Sequence, residues 1–588
     1  MKKLVIGLLA VVGFLSLVAV VVAGFVALVL ATGKPGVPRH TILQVDFEAG
    51  VIEAVPDDPL AEWMMESELP LLDVVDALDR AAGDDRVEAL VARVGAGGIG
   101  LAQIQEIRDA VLRFRESGKP ALAFAETFGE VSPGNGGYYL ATAFDEVYLQ
   151  PSGDIGMTGL IYELPFVRGT LDKLGVVPQM DQRYEYKNAM NTITDHEMTA
   201  AQRESMSKLM NSQFDQMVAG IAEARGLTPE DVRTRFDEGP YLGQEAVDAG
   251  LVDGLMYEDE VYAKLEEKLG DDTNRLFLAP YLARAGRPHK RGDTVALIHA
   301  QGAVVRGRGG YSPIDGSVTM GSDSVVDALR EAIDDDSVKA IILRVDSPGG
   351  SYVASDSIWR ETRRAKDAGK PLVVSMGNLA ASGGYFVSMS AAGVVAQPGT
   401  ITGSIGVLGG KLVTAGFWDK VGVGWDEVHT SANGTMFSAT HPYTEHGYDR
   451  FQAWLDRVYQ DFTTKVAEGR SLPKERVLEI AKGRVWAGSD ALELGLVDRL
   501  GGVHEALDLV REKLGVGADA ELRLRPIPAK RTPLEMFFEP KPDHRDTAGI
   551  RAMRRVMEEI QPVVRMAARI VGPAPRELEV PQDVLPRP

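Results

Sequence analysis

A serine, a lysine and two glycine pairs carry the chemistry that can be read in this sequence. Ser382 stands in ASGGYF (381–386), behind an apolar run and ahead of a Gly-Gly pair that opens a helical stretch. At a helix N-terminus a serine exposes its Oγ, and the N–H that follows points toward the reacting centre. A second apolar run ends in SPGGS (347–351), where glycines let the backbone come close to a substrate carbonyl. Hydrolysis of an amide needs a nucleophile, a group to take its proton, and donors for the developing oxyanion. Ser382 is the candidate nucleophile. The N–H groups of Gly350 and Gly383 are the candidate oxyanion donors. Each motif alone is common, because Gly-Gly after a strand is usually just a turn. Together, in this order on alternating strands and helices, they are far more specific.

The proton acceptor is harder to find. The nine histidines show no metal-ligand spacing such as HExxH, and His441 and His446 sit in a Pro/Gly-bearing, loop-like stretch. A Ser-His-Asp arrangement stays open, but no histidine is singled out. A lysine can act as base if burial or its hydrogen bonds favour the neutral amine. Lys187, in RYEYKNAMN (183–191), is a candidate. Most lysines are simply solvated surface groups. What lifts Lys187 above them is that the chain is an internal duplication.

VVDALDRAAGDDRVEALVARVGAGG from Val74 returns as VVDALREAIDDDSVKAIILRVDSPGG from Val325, 251 residues on. NGGYYL at Asn135 returns as SGGYFV at Ser382, and QPSGDIGMTG at Gln150 as QPGTITGSIG at Gln397, each 247 residues on. A period this long marks a duplicated domain, not a solenoid. The copies have lost complementary residues. Ser382 matches Asn135, Ser404 matches Met157, and Lys187 matches Gly434. One copy keeps a nucleophile and the other a base, which points to one composite site between them.

The elements that must hold these residues alternate. Strand-like HTILQVDF is followed by helix-like LLDVVDALDRAAGD, then strand and helix in turn, and the second copy repeats the order. Such βα alternation implies parallel strands with right-handed crossovers. The expected domains are an anchor over 1–33, a first repeat over 38–278, a Pro/Gly-rich basic linker over 279–293, a second repeat over 294–515, and an extension over 516–588. In the extension, 551–570 has amphipathic helical spacing with Pro562 inside it. It reads as a helix docked on the protein or lying in a membrane surface, followed by a disordered tail. An extended substrate would add its backbone to a strand edge over Gly349, Ser351, Tyr352 and Val353.

Composition narrows the classes. The 588-residue chain carries a net charge of −21, which argues against a nucleic-acid partner. It has no cysteine, which excludes disulfides and a cysteine nucleophile. No metal or cofactor motif is evident. Leu4 to Ala31 is an uncharged apolar run, long enough for about 42 Å of helix against a bilayer core of ~30 Å. Lys2 and Lys3 before it favour a cytoplasmic N-terminus. The run exceeds a typical signal-peptide core, so an uncleaved anchor is expected, with the rest of the chain exported.

With SPGG, ASGGYF and TGSIG (402–406) in place, the chain resembles the long, duplicated form of the signal peptide peptidase A (protease IV) family. These are membrane-anchored serine peptidases of the Clp protease/crotonase superfamily, and the resemblance runs from the anchor to about Gly515. It implies two tandem crotonase-like α/β domains, with Ser382 as nucleophile, Lys187 as general base and Ser404 holding the lysine amine. It also implies a homotetrameric bowl with an apolar interior, no cofactor, and a bacterial inner-membrane location with periplasmic catalytic domains. Its substrates would be cleaved signal peptides and other hydrophobic, unfolded chains. Two rivals remain. A crotonase-type acyl-CoA enzyme needs no Ser–Lys pair and is rarely exported. An inactive peptide-binding scaffold would not need Ser382, Lys187 and Ser404 together.

Overall fold

The computed structural model describes residues 36–529, apart from 57–60, 62–63, 66–67, 96–97, 271 and 313–315. The expected anchor and the amphipathic stretch at 551–570 lie outside the described residues. Among the described residues, no helix is long and apolar enough to cross a membrane.

Each repeat is built on six parallel strands, to which the second adds Ile401–Gly403 and, antiparallel to it, Val485–Ala487. In the first, the spatial order is Gly254–Leu255, Glu146–Leu149, Ala121–Ala125, Val87–Arg93, Thr41–Asp46 and Asn274–Phe277. All neighbours in it run parallel. The second has the same order through Arg499–Leu500, Gly393–Ala396, Leu372–Ala381, Val338–Ser347, Asp293–Gln301 and Leu522–Pro526. These strands are covered on both faces, so they read as continuous apolar runs and not as alternating ones. Ile341, Ile342 and Leu343 are fully buried, and each such side chain contributes about 1.5–3 kcal/mol.

The crossover helices pack through one stripe. In Ser322–Asp334 the buried residues Val325, Val326, Leu329, Ala332 and Ile333 follow helical spacing. Its counterpart Leu71–Ala82 buries Val74, Val75, Leu78 and Ala81 in the same way. Both repeats then extend into 26-residue helices, Ala200–Arg225 and Glu445–Arg470. Thr199 and Thr444 cap them by accepting from Gln202 N and Gly447 N.

Two expected boundaries need correction. The segment expected as a linker contains the helix Leu278–Ala285, which buries Leu278, Tyr281 and Leu282. Arg287 then bonds Asp73 at 2.6 Å and Asp76 at 2.8 Å. The Pro/Gly content that suggested a domain boundary includes Gly286, which ends this helix. Likewise, Leu522–Pro526 was assigned to the extension, yet it pairs with Asp293–Gln301 as Asn274–Phe277 pairs with Thr41–Asp46. The second repeat therefore closes at this strand and not near Gly515.

A two-stranded ribbon joins the repeats. Val177–Arg183 of the first runs antiparallel to Val407–Val413 of the second, with Arg183 opposite Val407 and Val177 opposite Val413.

Candidate active site

The strand Leu372–Ala381 delivers Ser382 to the N-terminus of the short helix Gly383–Ser388. Ser382 has φ 55° and ψ −115°, a conformation that residues with a side chain rarely adopt. Its amide donates to Gly403 O at 2.9 Å and its carbonyl accepts from Phe386 N at 2.8 Å, so the strain is held from both sides. Such strain persists only where the surroundings impose it, and it clusters at active sites.

Lys187 arrives from the other repeat. It follows the ribbon strand Val177–Arg183 in a turn where Lys187 N donates to Tyr184 O at 3.0 Å. Tyr184 N and Tyr186 N both donate to Lys482 O, tying that turn to the second repeat. The lysine Nζ lies 3.0 Å from Ser382 Oγ, 2.9 Å from Ser404 Oγ and 2.8 Å from Ser404 O. The residue is buried, at 6% exposure. Burial pushes its amine down to about 7, with no carboxylate opposing the shift. Of the residues expected from sequence, Ser382, Lys187 and Ser404 meet at one point. Ser382 Oγ bonds the lysine. Among the described residues no histidine bonds either side chain, and His441 bonds within its own loop.

The two glycine amides border the same space. Gly350 bridges Val304, but its neighbours make the bonds. Val304 N donates to Gly349 O and Ser351 N to Val304 O, each at 2.9 Å. That turns the N–H of Gly350 to the opposite side, away from Val304. Gly383 is the first residue of its helix, where an N–H has no intrahelical partner. A β-carbon on Gly383 would lie 3.1 Å from Gly350 N, so the two donors are adjacent. Gly349, at φ 95°, abuts Ser382 so closely that a β-carbon there would sit 2.8 Å from the serine Cβ.

The expected substrate strand does not hold along its length. Gly349 and Gly350 lie beside Val304, but Ser351 caps the helix Tyr352–Asp367 by accepting from Ala354 N. Tyr352 and Val353 form its first turn, and Tyr352 Oη donates to Asp461 at 2.8 Å. The serine N-cap outweighs the strand-like Tyr-Val pair.

Sequence reasoning also missed Gly483. At φ 84° it lies against the lysine, where a β-carbon would fall 2.4 Å from Lys187 Cβ. AKGRVW gives no signal for this, because the contact spans about half the chain. Ser355 was missed as well. It is fully buried under the donors, and a β-carbon on Gly383 would be 2.6 Å from its Oγ.

With the geometry in hand, comparison with known proteins is direct. The pattern of peptidase family S49 matches residues 113–271 and 364–517. The chain is 30% identical to the chloroplastic serine protease SPPA of Arabidopsis thaliana, over 76% of this chain and 66% of that protein. It is 33% identical to protease 4 of Salmonella typhi, over 74% of this chain and 71% of that protein. Among solved structures, a ClpP1 variant from Listeria monocytogenes aligns at 13% identity over 36% of this chain and 94% of that one, with a TM-score of 0.23. Two matched segments, one in each repeat, fit the duplication, and the chain belongs to peptidase family S49, as a serine protease of its long, duplicated form.

Proposed function

We propose that this protein is a membrane-anchored endopeptidase that uses Ser382 and Lys187 as a dyad to degrade cleaved signal peptides and other hydrophobic, unfolded peptides. One observation carries the dyad: a desolvated lysine amine 3.0 Å from the strained serine, reached across 195 residues. A neutral amine has two N–H groups and one lone pair. Ser404 O and Ser404 Oγ take the two N–H groups. The lone pair is left for the Ser382 hydroxyl. As Oγ attacks the substrate carbonyl, its proton passes to Lys187, and the oxyanion accepts from Gly350 N and Gly383 N. The ammonium keeps its bonds to Ser404 and gives the proton to the leaving amine. Lys187 then takes a proton from water, which hydrolyses the acyl-enzyme.

The anchor reading rests on the apolar run after Lys2 and Lys3, with the catalytic repeats on the periplasmic side. Substrates left at that membrane face after export are apolar peptides.

The duplication supports an assembly of copies. The ribbon uses Val177–Arg183 of the first repeat and Val407–Val413 of the second. Their counterparts, 424–430 and 160–166, belong to no strand and, among the described residues, make no backbone–backbone hydrogen bond. Val428 is fully exposed and Trp425 63% exposed. Joining 160–166 of one copy to 424–430 of the next would rebuild the ribbon, with Tyr162 opposite Val428. A head-to-tail contact of this kind gives a ring where its rotation closes. A ring of four is the size the family resemblance implies.

The test is a fluorophosphonate probe on the purified protein, followed by paired digestion of a synthetic signal peptide and a folded globular protein. Labelling at Ser382 that disappears in Lys187→Met, with cleavage of the peptide alone, is the expected result. Labelling that survives in Lys187→Met would remove the lysine from the mechanism. Equal cleavage of both substrates would remove the hydrophobic-peptide reading.

A further inference from the structure

One arginine is buried where the repeats meet. Arg344 is 2% exposed and lies on Val338–Ser347, the strand that leads into the Gly349–Gly350 loop. Its guanidinium donates to Glu53 at 2.6 Å and to Glu106 at 2.9 Å, both from the first repeat and both buried. It also donates to Ser375 Oγ at 2.8 Å. Ser375 stands opposite it on Leu372–Ala381, the strand that leads to Ser382. One side chain therefore ties the nucleophile strand and the oxyanion strand to each other and to the repeat that carries Lys187.

The surroundings make the joint reciprocal. Glu106 of the first repeat accepts from Val503 N, at the start of the second repeat's helix Val503–Leu514, at 2.7 Å. Asn378 of the second accepts from Gln103 N, in the first turn of Leu101–Arg115, at 3.1 Å. Each repeat satisfies orphan amides at a helix start of the other. The first repeat has an arginine at the position of Arg344, and it behaves differently. Arg93 bonds Glu48 at 2.8 Å and Glu126 at 2.9 Å, both from its own repeat, and stays 31% exposed.

We propose that Arg344, through Glu53 and Glu106, is a positioning group for catalysis, holding the two repeats in the one register that brings Lys187 to Ser382. The proposal rests on the dyad reading. A planar fork bonded to two carboxylates fixes direction as well as distance, which a lysine ammonium does not. A misplacement of about 1 Å at a reacting centre costs on the order of 100-fold in rate.

The test compares Arg344→Lys, Glu106→Gln and Arg93→Lys by labelling kinetics and peptide turnover, both counted per titrated serine. Arg344→Lys and Glu106→Gln should label Ser382 to completion, but with a rate constant lowered about 10- to 100-fold. Their kcat should fall alike, with KM within about twofold of wild type, the pattern for an interaction lost only in the transition state. Arg93→Lys should match wild type. A merely structural arginine would lower the melting temperature or the fraction of competent serines and leave the per-site rate unchanged. That result in Arg344→Lys overturns the proposal. If Arg344→Lys does not fold, Glu106→Gln decides by the same measurement. Wild-type protein unlabelled at Ser382 would overturn the dyad itself, and this proposal with it.

Discussion

Asn135 and Ser382 occupy the same place in two copies of one unit, and their backbones have diverged. Ser382 is held at φ 55° with its hydroxyl free for a lysine from the other repeat. Asn135 lies inside the helix Asn135–Ala141, at a φ that is not positive. Its amide accepts from Thr158 N at 3.0 Å and Gly159 N at 3.2 Å, and donates to Gly159 O at 2.8 Å. Where Ser404 turns at φ 50° to meet the amine, Met157 is packed in the core. At the position that lost its serine, the first copy has turned its polar groups onto its own loop and relaxed. The second keeps a strained serine and open glycine amides, and the desolvated amine of Lys187 reaches it from the first. The difference shows what function costs this fold: groups left short of partners until a substrate arrives.

The largest effect should come from removing either half of the composite site. Ser382→Ala and Lys187→Met should each lower peptide turnover by about 10⁴-fold or more, and the double variant should be no worse than either single one. Steady-state kinetics on one peptide decide it. Turnover near wild type in Lys187→Met would mean that the second repeat works without the first repeat's lysine. Ser404→Ala, which takes one oxygen from the amine, should cost about 10- to 100-fold, mostly in kcat.

The amine also predicts two pH dependences. With Lys187 as the proposed base, acylation would require its neutral form, so the labelling rate should rise through a midpoint of about 7 and fall away in acid. A rate flat down to pH 5 would contradict this. Folding responds as well. The unfolded lysine holds its proton up to about pH 10.4, whereas the folded one gives it up near 7. Between those values the unfolded state binds more protons, so this group's contribution to stability improves as pH rises and is poorest below about 7. Lys187→Met should flatten that slope and raise the melting temperature at pH 7 by roughly 5 °C. Thermal denaturation at pH 7 and pH 9.5 would show it, and an unchanged slope would count against a desolvated amine.

The smallest effect on activity should come from the reverse exchange. Asn135→Ser restores the ancestral hydroxyl, yet no lysine faces it. It should add no second labelled serine and no turnover. It should cost about 1–2 kcal/mol of stability, because the hydrogen bonds to 158–159 go unmade. A second label would show that the first copy is dormant and not dismantled.

Much of this was legible from the duplication itself. Ser382, Lys187 and Ser404 stood out because the other copy lacks them, and the βα order was written in the apolar runs. The repeat limits were less legible. Leu522–Pro526 is a short edge strand with alternating arginines, and only its pairing with Asp293–Gln301 identifies it. Tyr352 and Val353 were expected on a strand edge that an extended substrate could join, and the serine cap before them starts a helix instead. Arg344 gave no signal, since Arg93 matches it in sequence and differs only in what lies across from it. Gly483 depends on a contact with Lys187 that no local pattern encodes.

A site shared between two repeats has a consequence for how the protein is made. In the proposed dyad, the base is synthesised 195 residues before the nucleophile. At about 5–20 residues per second, roughly 10–40 s separate the two on the ribosome. During that interval the nascent chain holds a lysine with nothing to activate. The dyad comes into being only after the second repeat has been made and has docked on the first. On that reading a truncated chain carrying the first repeat alone would lack its nucleophile, and the division would work as a timer that keeps an unfinished protease harmless to its neighbours and to itself.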